Sequence, residues 1–157
     1  MGLWSIENWY PIQCDFAYMI SPKQFEELVL PFLAEQCCWL DHSVYHWDGP
    51  GQLNHLDMLL SIPELDAVQW TPGAGNPPVD DPCWYPYYKR IQTAGKGLVL
   101  LGVAAKNVER IIRDLSPKGL FMATSCASED EARELLKLAE RWTLERLHEV
   151  AMTTRTL

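Results

Sequence analysis

Apolar residues recur along the chain with two spacings, one typical of strands and one typical of helices. Short apolar segments predict four strands, over residues 43–47, 66–71, 97–103 and 119–124. Apolar residues three and four positions apart predict helices before, between and after these strands. The resulting order, α-β-α-β-α-β-α-β-α, indicates a parallel sheet with right-handed crossovers.

Capping motifs mark where two of the helices begin. Ser21, Pro22 and Gln24 form a capping box with proline at the first helical position, where its missing N–H costs nothing. Pro31 lies inside this first helix and predicts a kink. A second capping box starts at Ser128 and predicts the last helix. The acidic residues of its first turn suit the positive end of the helix dipole.

The length of the chain limits the architecture. Residues 1–20 are rich in aromatic side chains without clear periodicity, and we interpret them as an extended lead-in that covers part of the domain. Residues 21–157 predict a single β/α domain. A closed (β/α)8 barrel typically takes about 250 residues. Four parallel β/α units preceded by a helix therefore predict half of such a barrel.

A half-barrel has two open sheet edges and an uncovered inner face. We expect that face to be lined by residues such as Val44, Val68, Leu100 and Met122. Exposed edges and apolar faces of this kind are sites of association. The interpretation therefore predicts self-association, closure by the lead-in, or a complementary half-barrel chain.

Charge and cysteine content exclude several classes of protein. The net charge is −8 and the pI is near 4.9, which argues against nucleic acid as a partner. The longest apolar runs are too short to span a bilayer, and the first residues lack the pattern of a signal peptide. The five cysteines are irregularly spaced, without a CxxC pair, and indicate reduced thiols and a cytoplasmic location.

Potential metal ligands stand at two of the predicted strand ends. His46 and Asp48 end the first strand, and Cys126 follows the last. Because parallel strands bring their carboxyl ends to one side, these three side chains are predicted to converge on a zinc ion with one open position. Alternatively, His46 is a hydrogen-bonded strand-end residue, Asp48 braces the glycine-rich turn, and Cys126 is a small buried apolar residue.

A long loop, residues 72–82, is too rich in proline and glycine to form regular structure. It is predicted to be either a substrate-binding lid or a plain connector. Gln69, Trp70 and Asn76 lie on it or near it, and we predict that they present polar and stacking groups to a small-molecule substrate. His42 and His55 are predicted to lie on the surface.

Three features together carry a family resemblance: the helix pattern Ser21-Pro22-x-x-Phe25-x-x-x-Val29-Leu30-Pro31-x-Leu33, the strand ending in His46, and the segment Leu65-Asp66-Ala67-Val68-Gln69-Trp70. Over about residues 12–142, the chain resembles the C-terminal half of the uroporphyrinogen decarboxylase superfamily. That superfamily includes zinc-dependent methyltransferases that act on methylcobamides. Their motif is His-x-Cys with a later Cys, which His46 and Cys126 match, whereas Asp48 stands in place of the middle cysteine.

The resemblance implies two functions of different classes. In the first, zinc held by His46, Asp48 and Cys126 activates a thiol for methyl transfer, with a corrinoid as the external methyl donor. In the second, the chain is a non-catalytic or incomplete barrel fragment that acts as a binding or interaction module. The decarboxylase branch has its key catalytic residues in the N-terminal half, so none of them is assigned here.

Overall fold

Five parallel strands form a single sheet in the computed structural model, which describes residues 2–154 and the side chains of residues 2–152. The strands are β1 (Trp9–Gln13), β2 (His42–Asp48), β3 (Ala67–Thr71), β4 (Gly97–Ala104) and β5 (Leu120–Ser125). They pair in the order β1-β2-β3-β4-β5. The predicted α/β class with a parallel sheet is confirmed. The predicted domain limits also include Met1 and residues 155–157, which lie outside the described residues.

The N-terminal segment contributes a strand that the sequence did not predict. β1 lies within the expected lead-in, so the sheet has five strands rather than four. Pro11 interrupts any strand pattern there, but β1 is an edge strand that pairs only with β2. A proline is tolerated at an edge because fewer of its backbone groups are needed for pairing. A strand, and not a helix, therefore opens the fold.

Within residues 2–154, six α-helices connect and follow the strands: α1 (Pro22–Leu28), α2 (Leu30–Trp39), α3 (Leu56–Leu60), α4 (Tyr85–Thr93), α5 (Val108–Asp114) and α6 (Glu129–Thr154). Short 3₁₀ helices cover Asp15–Met19, Pro50–His55, Pro82–Trp84 and Ala105–Asn107. The capping box at Ser21 is formed as predicted. The kink predicted at Pro31 is a complete break: the chain leaves helical geometry at Val29, and Pro31 lies in the first turn of α2.

One face of the sheet, the first face, packs against the helices. Two rows of its side chains cross the strands: Ile12, Tyr45, Val68, Leu98 and Leu120, followed by Trp47, Trp70, Leu100 and Met122. These side chains belong to or pack against one core cluster, to which all six helices contribute. Because strands adjacent in sequence are also adjacent in space, right-handed crossovers place their helices on this same side.

The opposite face, the second face, is outside that core. Its central row is Gln13, His46, Gln69, Val99 and Phe121. Val44 and Val99 also point to it and are only 7% and 3% exposed, yet they do not belong to the core cluster. The helices of residues 2–154 therefore leave the second face uncovered, and its central row is polar on β1, β2 and β3 and apolar on β4 and β5.

The expected lining of the uncovered face needs a correction. Of the four residues predicted there, only Val44 lies on the second face, whereas Val68, Leu100 and Met122 pack toward the helices. Successive side chains of a strand point to opposite faces, so the apolar runs alone did not determine which alternate set faces inward.

Within residues 2–154 no helix is both long enough and apolar enough to cross a bilayer.

We predict that the protein self-associates through its unpaired edges and exposed apolar side chains. β1 and β5 each pair with one strand only, and Phe32 and Trp39 of α2 are exposed. Light scattering should give a mass above the 18.0 kDa of one chain. Changing Phe32 and Trp39 to lysine should reduce that mass because it removes two exposed apolar side chains. Gln36→Lys on the same helix removes no apolar side chain and should leave the mass unchanged. A single 18.0 kDa species at every concentration would contradict this prediction.

Candidate functional site

His46 and Asp48 lie side by side on the second face, at the carboxyl end of β2. Their positions differ by two residues, so both side chains point to the same side of the strand. His46 Nε2 lies 3.9 Å from Asp48 Oδ2. The strand ends after Asp48 because Gly49 has a φ of +79°, a backbone conformation that residues other than glycine rarely adopt.

Gln69 extends this pair into the neighbouring strand. It stands opposite His46 in the register of β2 and β3, and its Oε1 forms a hydrogen bond with His46 Nδ1. Its Nε2 donates to Thr71 Oγ1 at 2.7 Å and to the Trp70 carbonyl at 2.8 Å. Gln69 is 2% exposed, and these partners satisfy it at a depth where an unpaired amide would be costly.

A cleft of about 410 Å³ lies at the carboxyl ends of β1, β2 and β3. Asp15 and Tyr18 line it from the segment after β1, Asp48 and Gln52 from the end of β2 and beyond, and Asn76 from the loop after β3. Two carboxylates therefore face the cleft, and none of the residues lining it is lysine or arginine. This electrostatic setting favours ligands with hydrogen-bond donors or positive charge over anions.

The wall of the cleft below Tyr18 is a glycine-rich turn, residues 49–51. The Tyr18 ring lies so close that a Cβ at position 51 would meet it at 2.5 Å, and one at position 49 would meet it at 3.1 Å. Contacts under 3.0 Å force a shift of one partner. The glycine at position 51 is therefore needed for the position of the ring.

Gln52 links the cleft to the core. It is almost fully buried and accepts a hydrogen bond from the Tyr45 hydroxyl at 3.0 Å. Its backbone carbonyl accepts from Trp47 Nε1 at 2.9 Å. Burial raises the pKa of Tyr45 far above its ordinary value, so the hydroxyl stays protonated and remains a donor to Gln52.

The predicted lid loop lines the cleft at one end and is anchored at the other. Asn76 lies in the cleft wall and donates to the Pro72 carbonyl at 2.8 Å. Asp80 is buried, and its carboxylate accepts from the Ala104 N–H and from Asn107 Nδ2, both at 2.8 Å. Any lid movement is therefore expected in residues 73–76, at the same end of the strands as Asp48.

The other predicted site residues lie elsewhere. Trp70 is 1% exposed on the first face, packed in the core against the tilted rings of Trp47 and Trp84 with ring centroids 4.5 and 5.0 Å away. It does not belong to the cleft, because neighbours in a strand point to opposite faces. Cys126 follows β5, three strands from β2. Within residues 2–154 no group of three or more His, Cys, Asp or Glu side chains is placed to hold a metal ion.

Two further expectations have clear outcomes. His55 was expected on the surface but is fully buried, with Nε2 2.9 Å from the Ala17 carbonyl and its ring stacked on Phe25. Its position in a 3₁₀ turn rather than a regular helix explains the error. All five cysteines are free thiols, as the sequence indicated.

Sequence reasoning missed several residues of the site. Asp15 and Tyr18 lie in the N-terminal segment, where no periodicity was evident. Gln13 and Thr71 could have been found by the period of two in strands, since Thr71 follows Gln69 by two residues and Gln13 pairs with His46.

No protein-family model, curated protein or solved structure matches this chain. Family membership is therefore not assigned, and the resemblance described above stays an expectation.

We predict strong coupling between Gly51 and Tyr18. Gly51→Ala should displace the Tyr18 ring and destabilise the protein by about 1 kcal/mol, at the low end of overpacking effects. In a Tyr18→Ala background the same change should be neutral or slightly stabilising, because alanine restricts the unfolded chain. Urea unfolding of the four proteins of this cycle measures the coupling. Additive effects would mean that the ring does not need the glycine.

Proposed function

We propose that the chain is a uroporphyrinogen decarboxylase-like half-barrel that binds a small organic molecule beside His46. The observation that carries this proposal is the polar row on the second face. An all-parallel sheet ordinarily has both faces covered and lined with apolar side chains. Here His46 and Gln69 are bonded to each other on β2 and β3, and Asp48, which follows His46 by two residues, lines a cleft at the strand ends, where parallel β/α folds bind ligands.

The composition of the cleft indicates the type of ligand. Asp15 and Asp48 provide negative charge, Tyr18 provides an aromatic wall, and Asn76 and the turn backbone provide further polar groups. An amine, a thiol or a hydroxyl compound suits this lining, whereas a polycarboxylate lacks a cationic partner among the lining residues. A decarboxylase-type substrate would therefore need cationic side chains from outside this cleft.

Zinc-dependent methyl transfer is the second candidate. His46 and Asp48 supply one nitrogen and one oxygen within 3.9 Å, which suits two ligands of one ion after a small adjustment. A zinc ion bound there would lower the pKa of a substrate thiol. The donor set is incomplete among the described residues because Cys126 does not join it. The incomplete set favours binding without catalysis as the alternative.

The first test uses three small probes: ethanolamine, 2-mercaptoethanol and acetate. In ¹H–¹⁵N correlation spectra, the amine and the thiol should shift the backbone resonances of Asp48, Gly49 and Asn76 more than acetate does. His46→Ala should abolish these shifts, and His42→Ala, which removes an exposed histidine from the other end of β2, should not. Shifts confined to the opposite strand ends, or none with any probe, would contradict the proposal.

The second test is zinc retention after loading and dialysis, measured by atomic emission. His46→Ala and Asp48→Ala should each abolish retention, and the methyltransferase resemblance predicts the same for Cys126→Ala. Cys83→Ala is the matched control, because desolvation and Asp81 raise the pKa of that thiol to about 11 and make it a poor ligand. Wild-type protein without zinc at saturating metal would exclude this second candidate.

A further inference from the structure

We infer that Gln69 selects the tautomer of the neutral His46 ring, with the proton on Nδ1, so that the Nε2 lone pair and the Asp48 carboxylate face each other as two acceptors that a ligand can bridge. The ligand class that follows is one that brings a hydrogen-bond donor or a cation between these two atoms. This inference deepens the proposed function and rests on it for the identity of the site.

The first step is the orientation of the Gln69 amide. One end of the amide lies 2.8 Å from the Trp70 carbonyl oxygen, which can only accept a hydrogen bond. That end must be the NH₂ group, since the reverse orientation would bring two carbonyl oxygens together at a position only 2% exposed. The Thr71 hydroxyl at 2.7 Å accepts the second N–H. Oε1 is therefore left to face His46.

The second step is the tautomer of His46. Oε1 has no proton to donate, so the hydrogen bond between it and His46 Nδ1 requires the proton to be on Nδ1. A neutral imidazole carries one N–H, and Nε2 is then an unprotonated acceptor. The amide of Gln69 thus sets which ring nitrogen is available, as the outer partner of a ligating or catalytic histidine does.

The third step is the space beyond Nε2. The distance of 3.9 Å to Asp48 Oδ2 is too long for a direct hydrogen bond. The two side chains are 23% and 43% exposed, so both reach solvent, and Asp48 also lines the cleft. Two acceptors at this separation are stabilised by a group that donates to both or by a cation between them. A protonated amine and a divalent metal ion share that chemistry.

His55 provides an internal reference with the opposite tautomer. Its Nε2 lies 2.9 Å from the Ala17 carbonyl, so the proton must be on Nε2. The chain therefore contains two histidines whose surroundings require different tautomers, and one spectrum can compare them.

The tautomers can be read from long-range ¹H–¹⁵N spectra of the full chain labelled at histidine, at a pH well above the ordinary histidine pKa of about 6.5. His46 should give the pattern of an Nδ1–H imidazole and His55 that of an Nε2–H imidazole. Gln69→Leu should convert His46 to a mixture of tautomers while leaving His55 unchanged, which also reports that the fold is intact. Gln92→Leu, at a distant amide bonded to Ser116, should change neither histidine.

Two probes then separate the sources of positive charge. Zinc chloride and methylammonium chloride are each titrated while the His46 Nε2 resonance is followed. At least one should move it, and Gln69→Leu should weaken zinc binding by about 10- to 100-fold if zinc is the ligand. An Nε2–H or doubly protonated His46 in the wild type would overturn the assignment of Gln69, even if the small probes bind the cleft. An Nε2 resonance that responds to neither cation would overturn the ligand class.

Discussion

The sequential order of the five parallel strands is the constraint on which the rest of the structure depends. Each right-handed crossover returns on the same side, so all the helices gather on the first face and share one core. Large aromatic side chains, among them Trp47 and Trp70, fill that core. The second face can then carry polar side chains, and the cleft lies at the carboxyl ends of the strands.

Polar groups on the second face are tolerated because they satisfy one another. Gln69 has partners for both ends of its amide, which makes its burial affordable and leaves His46 with one nitrogen directed at Asp48. A network satisfied on one side and open on the other is the arrangement expected of a ligand site. Asp48, at that open side, also lines the cleft with Asp15, Tyr18 and Asn76.

The sequence was sufficient to predict four strands and the helices between them, because their apolar runs are bounded by caps, glycines and prolines. It was insufficient for β1, where Pro11 conceals an edge strand. His46 and Asp48 were predicted to lie together and are 3.9 Å apart, whereas the pairing of Gln69 with His46 was not predicted. The sequence did not determine which alternate residues face the helices, so Trp70 was placed in the site. The distance between Cys126 and His46 depends on how many strands separate β2 from β5, and local sequence patterns carry no information about that.

The central claim, that His46 is accessible on an uncovered face with a free nitrogen, can be tested by reaction with diethyl pyrocarbonate, which modifies unprotonated imidazole nitrogens. Peptide mass spectrometry would measure the modification rate of each histidine in the native protein. The structure predicts that His46 reacts, that exposed His42 also reacts, and that buried His55 is protected. Protection of His46 equal to that of His55 would contradict the account.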